Sequence, residues 1–239
     1  EKMGYKIYGE VNDKRKKVSV IIPTYKRAEL LSKCIKSILE QTYSNVEVIV
    51  VDDNDPKTNW RKNTESILDD FKEDSRVIYI KHEKNKNGSA ARNTGFKVST
   101  GEYICYLDDD DIFLNNKIMK QVECLEAFKD MDACCCDYSK EGKNYILPDK
   151  VDYTEDILLS DDTPQTSGIM FRRTCIECLK GFDESYIRHQ DYELLLRFFE
   201  KGFLMKKLMK YYMFEKEQTT IIFQTEKKWK SEEKVFTSI

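Results

Sequence analysis

Short apolar runs alternate with amphipathic segments along the first half of this chain, which restricts its fold more than any other feature. The apolar runs lie at residues 18–22, 46–51, 77–80 and 103–107. They are short and almost wholly apolar, as strands buried on both faces of a parallel sheet are. Helices are predicted after them, at residues 28–41, 60–71, 87–99 and 119–128. The alternation predicts an α/β fold, with a mostly parallel, Rossmann-like sheet flanked by helices.

The alternation ends near residue 130, and the second half of the chain is predicted to be mixed. Strands are predicted at residues 133–138, 166–171, 204–214 and 219–223, and a helix at 191–201. Residues 1–17 form a charged lead-in, and residues 226–239 a charged tail. Because no low-complexity linker divides residues 18–225, they are expected to form one domain.

Composition excludes several classes of function. The chain has 239 residues and a net charge of −3, so its overall charge does not favour nucleic-acid binding. No apolar run approaches the roughly 20 residues that span a bilayer, and no signal-peptide core precedes the first strand. The eight cysteines include three consecutive ones and show no paired zinc-site spacing. These features predict a cytoplasmic protein with reduced thiols.

Polar residues follow three of the predicted strands, at the edge of the sheet where open α/β folds bind ligands. The first strand leads into Pro23, Thr24, Tyr25, Lys26 and Arg27, the second into Asp52 and Asp53, and the fourth into Asp108, Asp109, Asp110 and Asp111. Strand ends in such a sheet meet in space. The sequence therefore predicts one polar cleft at this edge.

Four adjacent carboxylates repel one another and need a cation or extensive solvent. Mg²⁺ or Mn²⁺ fits, because these ions take carboxylate oxygens together with substrate phosphates. The alternative is a solvated turn that caps the next helix. The position directly after a buried strand favours the metal, so residues 108–111 are predicted to hold it.

The first strand is not followed by a glycine-rich phosphate loop, since no glycine lies between it and the first helix. A diphosphate must then be held by a metal or by basic side chains. Arg92 is a candidate, and the alternative is a surface arginine. Asp53 can accept a hydrogen bond from a base or ribose, or can start a turn. Asp191 can act as a general base or cap its helix.

Taken in order, several motifs resemble the family-2 glycosyltransferases with the GT-A fold. The matching stretches are VSVIIPTYKRAELLSKCIKSILEQTYSNVEVIVVDDND, GSAARNTGFKVSTGEYICYLDDDDIF, SGIMFRR and GFDESYIRHQDYELLLR, which span about residues 18–201. The resemblance implies a nucleotide-binding half, residues 18–112, and an acceptor-binding half, residues 113–225.

The resemblance also implies a role for each matched residue. Pro23, Thr24, Tyr25 and Arg27 would belong to the nucleotide site, with Tyr25 against the base. Asp53 would bind the base, and Asp52 would support its loop. Arg92 and Asn93 would line the donor site. Asp110 would bind Mn²⁺ or Mg²⁺, while Asp108 or Asp109 would contact the ribose or the metal shell. Asp191 would be the general base.

The implied reaction is inverting transfer of one sugar from a nucleotide-diphosphate sugar, expected to be a UDP-sugar, in bacterial-type polysaccharide or glycoconjugate assembly. The acceptor would be a saccharide or a lipid-linked saccharide. The basic residues of Lys227–Lys230 could contact an anionic membrane surface, and the alternative is a solvated or disordered chain end. Gln190 departs from the family, which has an acidic residue before the base. The QxxRW motif of processive members is absent. The alternatives are a sugar nucleotidyltransferase and a catalytically silent nucleotide-sugar-binding protein.

Overall fold

The computed structural model of the protein describes residues 15–159, 163–208 and, for the backbone only, 214–216. The predicted strand at 219–223, the charged tail at 226–239 and nearly all of the lead-in at 1–17 lie outside these residues. Among the described helices, none combines the length and the apolar character needed to cross a membrane.

The predicted alternation of strands and helices is present in the first half of the chain. Its elements are β1 (Val18–Thr24), α1 (Ala28–Leu39), β2 (Val46–Asp52), α2 (Asn59–Asp69), β3 (Val77–Lys81), α3 (Gly88–Val98), β4 (Tyr103–Tyr106), β5 (Asp111–Phe113) and α4 (Lys117–Ala127). Only β5 was not predicted. It begins at the last aspartate of the acidic run, so that residue belongs to a strand as well as to the turn.

The main sheet also includes three strands of the second half, β6 (Ala133–Cys135), β9 (Met170–Arg172) and β10 (Met205–Lys207). Its seven strands have the order β10, β6, β9, β4, β1, β2, β3. Its β1 runs parallel to both β2 and β4, and Thr24 at the end of β1 pairs with Asp52 at the end of β2. The carboxyl ends of these strands therefore lie at one edge, as the sequence predicts. Antiparallel β9 joins β4 to β6, so the sheet is mostly but not wholly parallel.

The second half corrects several predicted elements. The predicted strand at 133–138 is two strands in different sheets, and the one at 166–171 begins as a 3-10 turn, Thr166–Gly168. The elements are β6 (Ala133–Cys135), β7 (Tyr138–Lys140), β8 (Lys143–Tyr145), α5 (Thr154–Leu159), β9 (Met170–Arg172), α6 (Arg173–Leu179), α7 (Gln190–Glu200), β10 (Met205–Lys207) and β11 (Phe214–Lys216). Of these, β8, α5 and α6 were not predicted, and 204–214 holds β10 and the first residue of β11.

The chain changes sheet at Asp137, which explains why the predicted strand at 133–138 divides. Its buried carboxylate accepts a hydrogen bond from the Leu147 amide at 2.9 Å and pairs with Lys207 at 3.0 Å. A buried carboxylate needs such partners, and the backbone turns to provide them. Beyond it, the second sheet has the order β5, β11, β7, β8.

Two hydrophobic clusters cover the two faces of the main sheet. In β1, Val20 and Ile22 belong to one cluster, which includes apolar residues of α1, α2 and α4. Ile21 belongs to the other, with apolar residues of α3, α6 and α7. The eight cysteines are all free thiols, and only Cys178 is exposed. Apolar side chains thus cover most of both faces of the sheet.

Candidate active site

A cavity of about 400 Å³ opens at the carboxyl edge of the sheet. Eight of the nine residues predicted for the nucleotide site line it: Pro23, Thr24, Tyr25, Arg27, Asp53, Arg92, Asp108 and Asp109. Tyr25 is 40% exposed at the rim, and the Lys26 ammonium lies 4.7 Å from its ring centroid. An exposed aromatic ring at a cavity rim provides a flat face for stacking.

An adjoining cavity of about 240 Å³ is lined by Arg92, Asp108 and Gln190 together with residues of the second half of the chain. Among the latter are Asp191 and Ser167. The three shared residues lie at the boundary between the two cavities. The cleft therefore has one side built mainly by β1, β2 and α3, and another built by the turn before β9 and the start of α7.

The four carboxylates of the acidic turn, defined as residues 108–111, have different partners. Asp108 pairs with Arg92 at 2.7 Å, and Asp110 pairs with Arg27 at 2.9 Å. Two arginines thus face the turn, which keeps an excess of negative charge. The pKa of Arg27 is raised, since burial lowers it but the charges of the neighbouring aspartates outweigh that effect.

Asp109 lies outside the group that the other three carboxylates form. It accepts a hydrogen bond from the Thr24 hydroxyl at 2.7 Å and lies 3.5 Å from Arg27. Burial raises its pKa to about 7, against the opposing effects of Thr24 and Arg27. Asp109 therefore serves to join the acidic turn to β1, although it also lines the larger cavity.

The remaining three carboxylates form a group suited to a divalent cation. Oxygens of Asp108, Asp110 and Asp111 lie within 4.8 Å of one another. Asp110 Oδ1 is buried and accepts no hydrogen bond from any described residue, although an unpartnered buried carboxylate oxygen is costly. A hard cation such as Mg²⁺ or Mn²⁺ would satisfy this oxygen. The residues therefore fit the predicted metal, and Asp111 is one of its candidate ligands.

Asp111 was predicted only as a member of the acidic run, without a role of its own. Its side chain is buried and accepts a hydrogen bond from the Ser167 hydroxyl at 2.6 Å. Ser167 lies in the 3-10 turn before β9, so this bond joins the acidic turn to the second half of the chain. The run of four aspartates offered no signal that would separate Asp111 from its neighbours, because their orientations depend on the backbone of the turn.

Asp52, the ninth predicted nucleotide-site residue, does not line the cavity. Its carboxylate is wholly buried, pairs with Arg61 at 2.9 Å and accepts a hydrogen bond from the Tyr79 hydroxyl at 2.6 Å. Arg61 also donates to the carbonyl oxygens of Asp52 and His82. This network leaves Asp52 no surface for a ligand, and it fixes the loop that carries the next residue.

Asp53 lies in the cavity wall, held by residues that follow β3. Its Oδ1 lies 2.7 Å from His82 Nδ1 and accepts a bond from the Lys86 amide at 2.8 Å, while its Oδ2 accepts one from Asn85 at 2.9 Å. His82 was not among the predicted site residues. It directly follows β3, which ends at the same edge of the sheet, and this position could have indicated a role.

Asp191 is the second residue of α7, and its carboxylate faces the smaller cavity together with Asp108 and Asp111. Across residues 15–159 and 163–208 this carboxylate has no hydrogen-bond or ion-pair partner. The loop before α7 is held by α3. Asn93 donates to the Phe182 carbonyl at 2.9 Å and accepts from the Phe182 amide at 2.8 Å.

The sequence of the chain also matches known proteins. The family model for Glycosyl transferase family 2 matches residues 19–201. The chain belongs to this family. The family-2 match includes the three strand ends of the cleft, α3, the acidic turn and Asp191.

Relatives of this family-2 chain include an Escherichia coli protein named UDP-Glc:alpha-D-GlcNAc-diphosphoundecaprenol beta-1,3-glucosyltransferase WfaP. It is 31% identical over 194 residues, which cover 77% of this chain and 71% of WfaP. Two other curated relatives are matched over smaller shares of their length, 15% and 64%. The chain therefore corresponds to only part of some of its relatives.

Solved structures show the same fold. The S. aureus TarS 1-349 structure in complex with UDP has a TM-score of 0.68 and 18% identity, covering 83% of this chain and 60% of that one. A mannosyltransferase from Pyrobaculum calidifontis, in complex with GDP-Man and Mn2+, has a TM-score of 0.65 and 20% identity, covering 84% and 56%. The fold of this chain is thus GT-A, as predicted.

Proposed function

We propose that this chain is an inverting glycosyltransferase that moves one sugar from a nucleotide-diphosphate sugar to an acceptor hydroxyl. The observation that carries the proposal is the shared cavity of Asp191 and the carboxylates Asp108 and Asp111. A free carboxylate that faces a group suited to a metal-bound diphosphate has the arrangement of a general base opposite a leaving group.

The larger cavity would hold the nucleoside. Asp53 would accept a hydrogen bond from the base, and Tyr25 would stack against it. Asp108 would contact the ribose or the metal shell, and Arg92 would face the diphosphate. We take the donor to be a UDP-sugar, a choice supported by the UDP complex of TarS. The second structural neighbour holds GDP-Man instead, so the panel of donors tests GDP-sugars beside UDP-sugars.

Asp108, Asp110 and Asp111 would hold Mn²⁺ or Mg²⁺. When bound, such a cation neutralises charge on the diphosphate that departs. Arg92 adds a fixed positive charge on the same side, because its guanidinium is already oriented by Asp108. The Mn2+ in the Pyrobaculum calidifontis structure supports the choice of metal.

In the reaction, Asp191 takes the proton of the acceptor hydroxyl while the oxygen of that hydroxyl attacks the anomeric carbon of the donor sugar. The new bond joins this oxygen to the anomeric carbon, and the bond to the diphosphate oxygen breaks with its electron pair. Attack from the side opposite the leaving group inverts the configuration. The partner-free carboxylate of Asp191 suits this role, because it needs to break no bond before it accepts the proton.

The acceptor would be a saccharide or a lipid-linked saccharide used in bacterial-type polysaccharide or glycoconjugate assembly. The name of WfaP, which specifies a diphosphoundecaprenol-linked sugar, supports a lipid-linked acceptor. Residues 18–112 would provide the nucleotide-binding half, and residues 113–225 the acceptor-binding half. We place the reaction in the cytoplasm, with contact at the inner face of the membrane where lipid-linked acceptors lie.

A thermal-shift panel of nucleotide-sugars, each with Mn²⁺ and with chelator, tests the donor and the metal together. We expect one donor to raise the melting temperature only when metal is present. Product analysis then defines the chemistry: glycosyl transfer releases nucleoside diphosphate, whereas a nucleotidyltransferase releases pyrophosphate. Binding without turnover toward any acceptor would instead indicate a catalytically silent nucleotide-sugar-binding protein.

A further inference from the structure

We propose that Gln190 is a positioning residue that fixes the positions of Arg92 and Asp191 relative to each other across the cleft. The inference rests on the proposed function, in which Arg92 faces the donor and Asp191 the acceptor. Gln190 is adjacent to Asp191 in sequence and lies at the boundary of both cavities.

The amide of Gln190 uses both of its ends. Its Oε1 accepts a hydrogen bond from Arg92 Nη1 at 3.0 Å. Its Nε2 donates to the carbonyl oxygens of Tyr186 and Ile187 at 3.0 and 3.3 Å. One side chain therefore ties α3 of the first half to the loop that precedes α7 of the second half.

Arg92 extends this link to the acidic turn. While Nη1 donates to Gln190, Nη2 donates to Asp108 Oδ1 at 2.7 Å. The guanidinium carbon lies 5.3 Å from the centroid of the Phe182 ring, and the side chain is only 13% exposed. Because a guanidinium is planar, two bonded nitrogens and a packed face fix its orientation. Gln190 thus shares control of the direction in which Arg92 presents its charge.

The close approach of the two elements depends on Gly88, the first residue of α3. A Cβ at this position would lie 3.0 Å from both Arg92 Nη1 and Gln190 Oε1. That distance is shorter than an ordinary van der Waals contact, so a larger residue would push this pair apart. Both atoms are the ends of flexible side chains, so an added Cβ would shift the contact between Arg92 and Gln190 by a few tenths of an ångström.

The backbone before Gln190 is strained. His189 has a φ of +55°, in the left-handed region that non-glycine residues seldom adopt. The hydrogen bonds from Gln190 to the carbonyl oxygens of Tyr186 and Ile187 close the turn around His189. They hold the start of α7, and with it Asp191, in place.

Glutamine makes one accepted and two donated hydrogen bonds in this chain, a set that glutamate at the same position could not make. A carboxylate could accept from Arg92, but it could not donate to the two carbonyl oxygens. It would also add a negative charge near Asp108, and its ion pair with Arg92 would weaken the attraction between Arg92 and the donor diphosphate. The neutral amide keeps that charge available on the donor side.

A double-mutant cycle with Gln190→Met and Arg92→Lys tests the link. Methionine keeps the length of the side chain and removes all three hydrogen bonds. We expect Gln190→Met to lower kcat about tenfold, because small misplacements of reacting groups are costly. The melting temperature should fall by no more than about 6 °C, the range expected when a few hydrogen bonds are lost at a partly exposed site. The double variant should lose less activity than the product of the two single losses.

Two further variants control the experiment. Gly88→Ala should reproduce the loss of kcat by crowding the same contact. Glu200→Gln, at the exposed far end of α7, should keep wild-type kcat. A second double-mutant cycle compares ligand binding in the same single and double variants. It uses the rise in melting temperature that UDP or GDP causes in the presence of Mn²⁺.

The positioning role would be overturned if the two substitutions act independently in both cycles, so that the loss in the double variant equals the product of the single losses. Wild-type kcat in Gln190→Met would also overturn it. Either result would leave the proposed function intact. A wild-type chain that neither binds a nucleoside diphosphate nor transfers a sugar would overturn both.

Discussion

The Thr24 hydroxyl donates a 2.7 Å hydrogen bond to the carboxylate of Asp109, which lies 85 residues further along the chain. This bond joins the carboxyl end of β1 to the acidic turn. Asp109 lies outside the group of Asp108, Asp110 and Asp111, which is suited to a metal. The partner of Asp109 thus distinguishes it as a structural carboxylate from three candidate ligands.

Substitution of Asp110 should remove the effect of metal on donor binding. In Asp110→Asn we expect UDP with Mn²⁺ to give no more thermal stabilisation than UDP with chelator, because a carboxylate ligand is lost from the group. Asp109→Asn is the matched control, since asparagine can still accept from Thr24 and this residue lies outside the group. The metal assignment fails if Asp110→Asn retains the full metal-dependent stabilisation.

Replacement of the general base should separate turnover from binding. Asp191→Asn keeps the shape of the side chain but cannot take a proton, so we expect kcat to fall about 100- to 10,000-fold. The affinity for donor, measured by calorimetry, should remain near the wild-type value. Asp183→Asn, an exposed carboxylate in the preceding loop, serves as the control. Near-normal turnover in Asp191→Asn would refute this role.

Gly95 should tolerate no side chain, because α3 packs against β1 at that point. A Cβ at residue 95 would lie 2.4 Å from Ile21 Cγ2. We expect Gly95→Ala to lower the free energy of unfolding by about 1–3 kcal/mol through overpacking, even though alanine is the better helix former. Lys97→Ala, at an exposed position of the same helix, should have little effect in the same denaturant titration. A more stable Gly95→Ala protein would contradict this packing.

Glu47 should stabilise the fold in a manner that depends on pH. Burial raises the pKa of this carboxyl, but hydrogen bonds from Ser19 and Thr100 and the charge of Lys17 lower it more, so the net shift is downward. The unfolded chain then binds the proton more tightly than the folded one. The stabilisation is therefore present above the ordinary value of 4.5 and is lost as the pH falls below it.

Glu47→Gln tests this linkage by denaturant unfolding at several pH values. At pH 7 we expect a loss of about 1.5–3 kcal/mol, the usual contribution of hydrogen bonds to a charged group. The difference from wild type should shrink as the pH is lowered through the acid range. Glu73→Gln, on the exposed surface, should show no such trend. A difference that is constant with pH would show that the charge of Glu47 is not involved.

The sequence by itself determined the first half of the fold, from β1 to α4, and the edge at which the cleft lies. Apolar runs and helical spacing report burial locally, so β2 and β4 were predicted to within a residue at each end. Because parallel strands bring their carboxyl ends together, the sequence predicted that Asp53 and the acidic turn lie at the same edge of the sheet. The order of the motifs also identified the family.

Only the tertiary structure decided how the polar residues divide their roles. Adjacent aspartates have the same chemistry, and their partners, Thr24 for Asp109 and Ser167 for Asp111, lie far away in sequence. The contact of Gln190 with Arg92 spans 98 residues. The three-residue strands of the second half are too short to show a period. Local patterns encode which face of an element is buried, whereas side-chain partners are set by packing between elements that no local pattern specifies.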